Sequence, residues 1–194
     1  AAKSAFIAVV SHDLRNPLGG IIGLVDLNLR STLPRALRDD LEVIRSSCNL
    51  LLGLVNDLLD LSKIEAGKME LERIDFDLRE QVDSILRTFH AVAQEKGVAL
   101  DAIFAEDAPR FVRGDPLRFA QVLMNLVSNA VKFTENGAIT VKLERWERAP
   151  DFPGDPRSVM ARCTVRDTGI GIAPEKMPRL FREFSQADAS GGRR

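Results

Sequence analysis

At 194 residues the chain has room for one large domain or two small ones, which excludes a third. Hydrophobic residues make up 45% and charged residues 28%, the balance of a globular protein, which excludes disordered, collagenous and membrane-embedded classes. Basic and acidic side chains number 27 and 28, so the net charge of −1 sets up no field that would gather nucleic acid or anionic lipid.

No segment approaches the roughly 18 to 20 apolar residues of a membrane span. Even Asn49–Val55 is bounded by Cys48 and by Asn56-Asp57. Cys48 and Cys163 lie far apart without CxxC spacing, which argues against a disulfide framework or a zinc site and makes both core fillers. The chain has no initiator Met and stops at Gly191-Gly192-Arg193-Arg194 without a terminating element, so a longer parent polypeptide is expected.

From Ala5 the apolar positions Ile7, Val10, Leu14, Pro17, Ile21 and Leu24 recur at alternating steps of three and four, a helical seam. After a break at Ser31-Thr32-Leu33-Pro34, the positions Leu37, Leu41, Ile44, Cys48, Leu51, Val55 and Leu58 hold an unbroken heptad pattern. Leu52 and Leu59 widen that stripe beyond a two-stranded seam. Pro34 suits the first turn of the second helix and Gly67 its end, so the pair forms an antiparallel hairpin with arms of roughly 40 Å or more. Two helices cannot cover stripes this wide, and a homodimeric four-helix bundle is the economical solution.

His12 lies about 140° around the helix from Ile7 at roughly 100° per residue, away from the seam and toward solvent. Ser11, Asp13, Arg15 and Asn16 make a polar patch around it, with Asn16 at i+4 on the same face. A solvated helix face accounts for such a patch by itself. Pro17 adds something, because it deletes the amide that would bond the Asp13 carbonyl and should kink the helix beside the patch. Asp13 can accept a hydrogen bond from Nδ1–H of His12 and leave Nε2 unprotonated, a nucleophilic tautomer. The run Phe6-Ile7-Ala8-Val9-Val10-Ser11-His12-Asp13-Leu14-Arg15-Asn16-Pro17-Leu18 resembles the H-box of sensor histidine kinases, F-x-x-x-x-S-H-E-L-R-T-P-L. Asp13 stands where Glu is commoner and Asn16 where Thr is commoner, departures that bear on the balance between kinase and phosphatase activity.

Beyond Gly67 the pattern changes. Met69–Arg73 reads as a short strand, Leu78–Lys96 as a helix, Val98–Phe104 as a strand and Asp115–Phe133 as a helix. Gly137–Trp146 and Val159–Asp167 read as a strand pair, joined by a loop punctuated with Pro150, Pro153, Gly154 and Pro156. The mixture predicts an α/β layer sandwich.

In the Asp115–Phe133 helix the apolar face is Phe119, Val122, Leu123, Leu126 and Ala130, while Asn125, Asn129 and Lys132 line a second face. The plain reading is the polar side of an amphipathic helix. As chemistry, an Asn carbonyl oxygen is a hard ligand suited to Mg²⁺ and Lys is a point charge for phosphate oxygens. The run Gln121-Val122-Leu123-Met124-Asn125-Leu126-Val127-Ser128-Asn129-Ala130-Val131-Lys132-Phe133-Thr134 resembles the N-box of the same kinases. Asp167-Thr168-Gly169-Ile170-Gly171 follows a strand directly, which by itself describes a tight turn. In order after the other two boxes it resembles the G1 box, and Phe181-Arg182-Glu183-Phe184 resembles the F-box that opens the ATP lid.

The resemblance spans the whole chain and implies an α+β protein of two domains. Residues 1–67 would be a dimerisation and histidine phosphotransfer hairpin, and residues 68–194 an ATP-binding α/β sandwich of the histidine kinase, Hsp90 and gyrase type. The second glycine box, G-x-G-L-G-L, would follow beyond Arg194. Wording near Ala2-Lys3-Ser4 and Ser185-Gln186-Ala187-Asp188 resembles the hybrid subclass, which carries receiver domains on the same polypeptide. The implied activity is autophosphorylation of His12 from Mg-ATP and transfer to an aspartate of a response-regulator receiver domain. Asp13 would orient His12 and act as base, and Asn16 would position a phosphatase water. Asn125 and Asn129 would hold Mg²⁺, Lys132 the phosphates, and Asp167, Gly169 and Gly171 the adenine. The implied partners are a second copy of the chain and the receiver, and ATP use implies a cytoplasmic location, with membrane anchorage open. The alternative is a degenerate module that dimerises and regulates a partner kinase. A chaperone or topoisomerase-type ATPase leaves the H-box hairpin without a role. His90 matches no motif and reads as structural.

Overall fold

The computed structural model describes residues 2–147 and 159–179. Its contacts divide the chain into two compact units, Ala1–Glu70 and Leu71–Arg194.

The first unit is a pair of long helices, α1 (Ala2–Leu29) and α2 (Arg35–Glu65). α1 continues through Pro17. The helices run antiparallel, because Arg15 meets Asn56 while Asp26 meets Arg45, equal steps in opposite directions. α2 ends in a Schellman motif, in which Gly67, at φ +63°, donates to the Ile64 carbonyl and Lys68 to that of Lys63.

The heptad of α2 divides in two. Leu41, Cys48 and Val55, with Leu52 and Leu59, turn toward α1, whereas Leu37, Ile44, Leu51 and Leu58 remain 39–49% exposed. α1 behaves alike, with Ser11, Leu18, Ile22, Val25 and Leu29 turned inward. Of the seam expected on α1, Leu14, Pro17, Ile21 and Leu24 lie in the open. The sequence reading thus merged two apolar stripes on each helix, of which one helix pair covers a single stripe.

The second unit is a three-stranded sheet of order β2-β4-β5, where β1 is Ile74–Asp77, β2 Val98–Phe104, β3 Phe111–Gly114, β4 Gly137–Trp146 and β5 Met160–Asp167. β2 runs parallel to β4, and β4 antiparallel to β5. Helices α3 (Leu78–Glu95) and α4 (Pro116–Phe133) supply the second layer. The core gathers Val82 and Leu86 of α3, Leu123 and Val127 of α4, and Ile139, Val141 and Leu143 of β4, all at 3% exposure or less. β2 alternates Val98 and Leu100 inward with Ala99 and Asp101 outward, the period of a sheet covered on one face.

Two expectations need correction. Met69–Arg73 forms no strand; the strand is β1, five residues later, paired antiparallel with β3, which the sequence reading missed. In Ile-Asp-Phe-Asp the strand-favouring Ile74 and Phe76 alternate with the strand-disfavouring Asp75 and Asp77, so over four residues a partner distant in sequence settles the conformation. On α4, Val122 (59% exposed) and Leu126 (47%) lie outside the core, and Val127 takes the interior place. The loop with Pro150, Pro153, Gly154 and Pro156, and Phe181-Arg182-Glu183-Phe184, lie outside the described residues. Cys48 is buried and Cys163 packs against the core, where burial pushes its thiol up to about 11.

Three aspartates set the frame of this unit. Asp77 caps α3, with Oδ1 accepting from the amides of Arg79 (3.0 Å) and Glu80 (3.1 Å) and Oδ2 from Arg110 Nε (2.7 Å). Asp115 caps α4 through the Arg118 amide (3.0 Å) and also accepts from the Glu72 amide. Across the β1–β3 pair, Arg113 grips both oxygens of Asp75, at 2.7 and 2.9 Å. All three carboxyls are held below their usual range. The chief causes are the hydrogen bonds from Arg113 to Asp75, from Arg110 to Asp77 and from the Arg118 amide to Asp115. A lowered carboxyl pKa stabilises the fold fully above the unfolded value of about 4, and that contribution fades as pH falls through the folded value. Urea midpoints measured from pH 7 to pH 3 should therefore fall. They should fall less in Asp77→Asn with Asp115→Asn, since Asn still caps a helix but does not titrate. An equally steep fall in that variant would contradict this assignment.

Candidate functional site

On α1, His12 and Asp13 both stand in solvent, each with a side chain 70% exposed, and Asp13 Oδ1 lies 3.3 Å from His12 Nδ1. The contact favours the tautomer with hydrogen on Nδ1 and the lone pair on Nε2. Asn16 is exposed one turn further along, while Ser11 is buried at 1%. Arg15 reaches across the hairpin, its guanidinium donating to Asn56 Oδ1 at 2.7 Å. Sequence reading placed Arg15 in the patch and had no sign of Asn56, because the contact spans forty-one positions.

In the second unit, Asn125, Asn129 and Lys132 all face outward from α4. Among the described residues neither amide has a hydrogen-bond partner, and the Lys132 ammonium sits 5.0 Å from the centroid of the Phe133 ring. The donor set, two uncommitted amide oxygens one turn apart and an ammonium beyond them, fits a hard divalent cation bound together with phosphate oxygens. Lys96 reaches from the end of α3 to the Val131 carbonyl at 2.7 Å, fixing the last turn of α4.

Asp167 ends β5, and the turn after it is lashed down at several points. Asp167 Oδ1 accepts from the Gly169 amide (2.9 Å), and the Ile170 amide donates to the Phe133 carbonyl (3.3 Å). Thr168 Oγ1 accepts from the Ala138 amide at 3.0 Å. A Cβ at Gly169 would lie 2.4 Å from the Phe133 carbonyl oxygen, so the glycine is required by the approach of the turn to α4. Gly171 has φ +67°, the conformation expected of a glycine turn. The structure thus brings Asp167 and Gly169 to the end of α4 that carries Lys132, with Asn129 and Asn125 on the preceding turns. Thr134, which closes the run resembling the N-box and was given no role of its own there, is fully buried at this junction with no partner for its hydroxyl among the described residues. A cavity of about 440 Å³ at the start of α3, lined by Arg79, Asp83, Arg87, Phe104 and Arg110 among others, contains none of these residues.

Two known protein domains match the chain. Residues 2–67 match the His Kinase A (phospho-acceptor) domain, and residues 114–194 match the histidine kinase-, DNA gyrase B-, and HSP90-like ATPase. The chain belongs to the histidine kinases. It is 45% identical over 192 residues to the signal transduction histidine-protein kinase BarA of Escherichia coli, covering 99% of this chain and 20% of that protein. It is 37% identical over 193 residues to the hybrid signal transduction histidine kinase B of Dictyostelium discoideum, covering 100% of this chain and 10% of that protein. The crystal structure of full-length ShkA in complex with AMPPNP superposes with a TM-score of 0.72 at 30% identity, covering 95% of this chain and 37% of that one. The chain therefore spans about a fifth or less of the curated relatives named here. Among the described residues no helix is long and apolar enough to cross a membrane.

Proposed function

We propose that the chain is the kinase core of a two-component or phosphorelay protein, in which His12 takes the γ-phosphoryl group of ATP and passes it to an aspartate of a receiver domain. The observation that carries this reading is an exposed imidazole with Asp13 at its Nδ1, on a hairpin that belongs to a phospho-acceptor family and holds no other histidine. In-line attack by Nε2 forms the N–P bond as the bond from γ-phosphorus to the bridging oxygen breaks, and ADP leaves. Phosphoryl transfer is chiefly positioning and neutralisation of charge. Asp13 orients the ring and stabilises the proton on Nδ1 as Nε2 becomes bonded to phosphorus. Asn129 and Asn125 would hold Mg²⁺, which supplies charge neutralisation at the phosphates, and Lys132 would face the phosphate oxygens. Asp167, at the mouth of the glycine turn, offers its carboxylate to an exocyclic amine of the base, with Gly169 and Gly171 shaping the turn.

The apolar rows left bare on α1 and α2 support a homodimeric four-helix bundle. The receiver would dock beside the exposed His12 patch, on the same polypeptide if the parent is a hybrid kinase, as the likeness to a protein of that name supports. Asn16, one turn from His12, would position the water that removes phosphate from the receiver. ATP use places this core in the cytoplasm.

Incubation with Mg-ATP labelled in its γ-phosphate tests the reading. Label that withstands alkali and is lost in acid should appear on the wild type and vanish in His12→Gln. Asp13→Asn should slow labelling by about 10²-fold, the size of a general-base contribution. Asn16→Ala should keep labelling and lose receiver dephosphorylation. Wild-type labelling in Asp13→Asn would remove Asp13 from the mechanism. Nucleotide binding without label in any variant would favour the non-catalytic module.

A further inference from the structure

Arg15 follows His12 by three positions on α1, so the two side chains emerge as neighbours, with Cβ atoms about 5–6 Å apart. The guanidinium does not extend freely into water, because one of its terminal nitrogens is bonded at 2.7 Å to Asn56 Oδ1 on the opposite helix. A hydrogen bond between exposed polar groups adds little to stability. Its consequence is geometric: it fixes the plane of a group with five donors, which a single neutral acceptor does not exhaust. Asp13, the acid next to the ring, is already engaged at His12 Nδ1, so among the described residues the patch holds a cationic fork oriented by an amide and no anion committed to it.

A phosphoryl group on Nε2 would bring that anion. Its non-bridging oxygens match a guanidinium fork, which binds them through charge-assisted, often paired hydrogen bonds. We propose that Arg15, aimed by Asn56, binds the phosphoryl oxygens as the group arrives on His12, and that Asn56 is a positioning residue acting through Arg15. This rests on His12 being the acceptor. The feature is built into the hairpin itself, since its two members come from α1 and α2 and meet only when the helices are in register.

The test measures phosphohistidine formation over a range of ATP concentrations in the wild type, Arg15→Gln, Arg15→Lys, Asn56→Leu and Asn56→Gln, with thermal unfolding of each. Arg15→Gln should lower the rate at saturating ATP about 10²-fold or more, the scale of losing one preorganised donor, with KM for ATP unchanged. Arg15→Lys keeps the charge, loses the fork and should fall between. Asn56→Leu should slow the reaction severalfold, and Asn56→Gln, which keeps a neutral amide acceptor for Arg15, should recover most of the wild-type rate. A wild-type rate in Arg15→Gln would overturn the proposal, as would losses that track the fall in melting temperature across all four variants. The underlying reading fails separately: if the wild type gains no acid-labile phosphoryl group, or still gains it in His12→Gln, His12 is not the acceptor and the proposal falls with it.

Discussion

Asn129→Ala should abolish more than 99% of phosphoryl transfer to His12 while leaving the α/β unit folded. The side chain is exposed on α4 and has no hydrogen-bond partner among the described residues, so its removal opens no cavity and strands no buried group. Alanine is the better helix former, and the melting temperature should hold or rise slightly. The expected loss is catalytic, because a hard oxygen ligand that neutralises the phosphates acts where charge is redistributed in the transition state, an effect of about 10²–10³-fold for one preorganised contact. Single-turnover labelling alongside thermal melts separates the two quantities. A rate within threefold of wild type would remove Asn129 from the site. A collapsed melting temperature would show that its role is in the fold.

The second large effect concerns assembly. Leu37, Ile44, Leu51 and Leu58 form a heptad row on α2 that α1 leaves about half exposed, and Leu14 and Ile21 continue the bare surface on α1. If two chains cover these rows in a four-helix bundle, Ile44→Glu with Leu51→Glu removes four apolar side chains from one dimer. At about half the 1.5–3 kcal/mol of a fully buried aliphatic side chain each, the loss is about 3–6 kcal/mol, or two to four orders of magnitude in the dimer dissociation constant. Sedimentation equilibrium should find a dimer for the wild type and a helical monomer for the double variant. A variant that remains dimeric would place the interface elsewhere.

Much of the architecture is legible in the sequence because the relevant signals are local. β2 and β4 are bounded as read, since β2 is an alternating run that follows Gly97 and β4 one that opens on Gly137, both glycines at positive φ. α4 begins where Asp115 and Pro116 place a cap and a first turn, and Asp115 does cap it. What escaped the reading depends on partners distant in the chain. Which apolar stripe of α1 meets α2 cannot be told from periodicity when a helix carries two. The β1–β3 pair rests on Asp75 and Arg113, thirty-eight positions apart. The same division runs through the site. His12, Asp13, Asn125, Asn129 and Asp167 are recognisable within short motifs, whereas Asn56 at Arg15 and the Phe133 carbonyl against Gly169 exist only once the chain has folded.

The central claim is that a single imidazole, His12, receives the phosphoryl group. Exposure to Mg-ATP followed by mass spectrometry of the intact protein and of its peptides under neutral conditions tests that claim most directly. The account predicts one added phosphoryl group per chain, carried by the peptide that contains His12, absent in His12→Gln and lost in mild acid. A phosphoryl group on the peptide containing His90, or one that survives acid on a hydroxyl side chain, would contradict it.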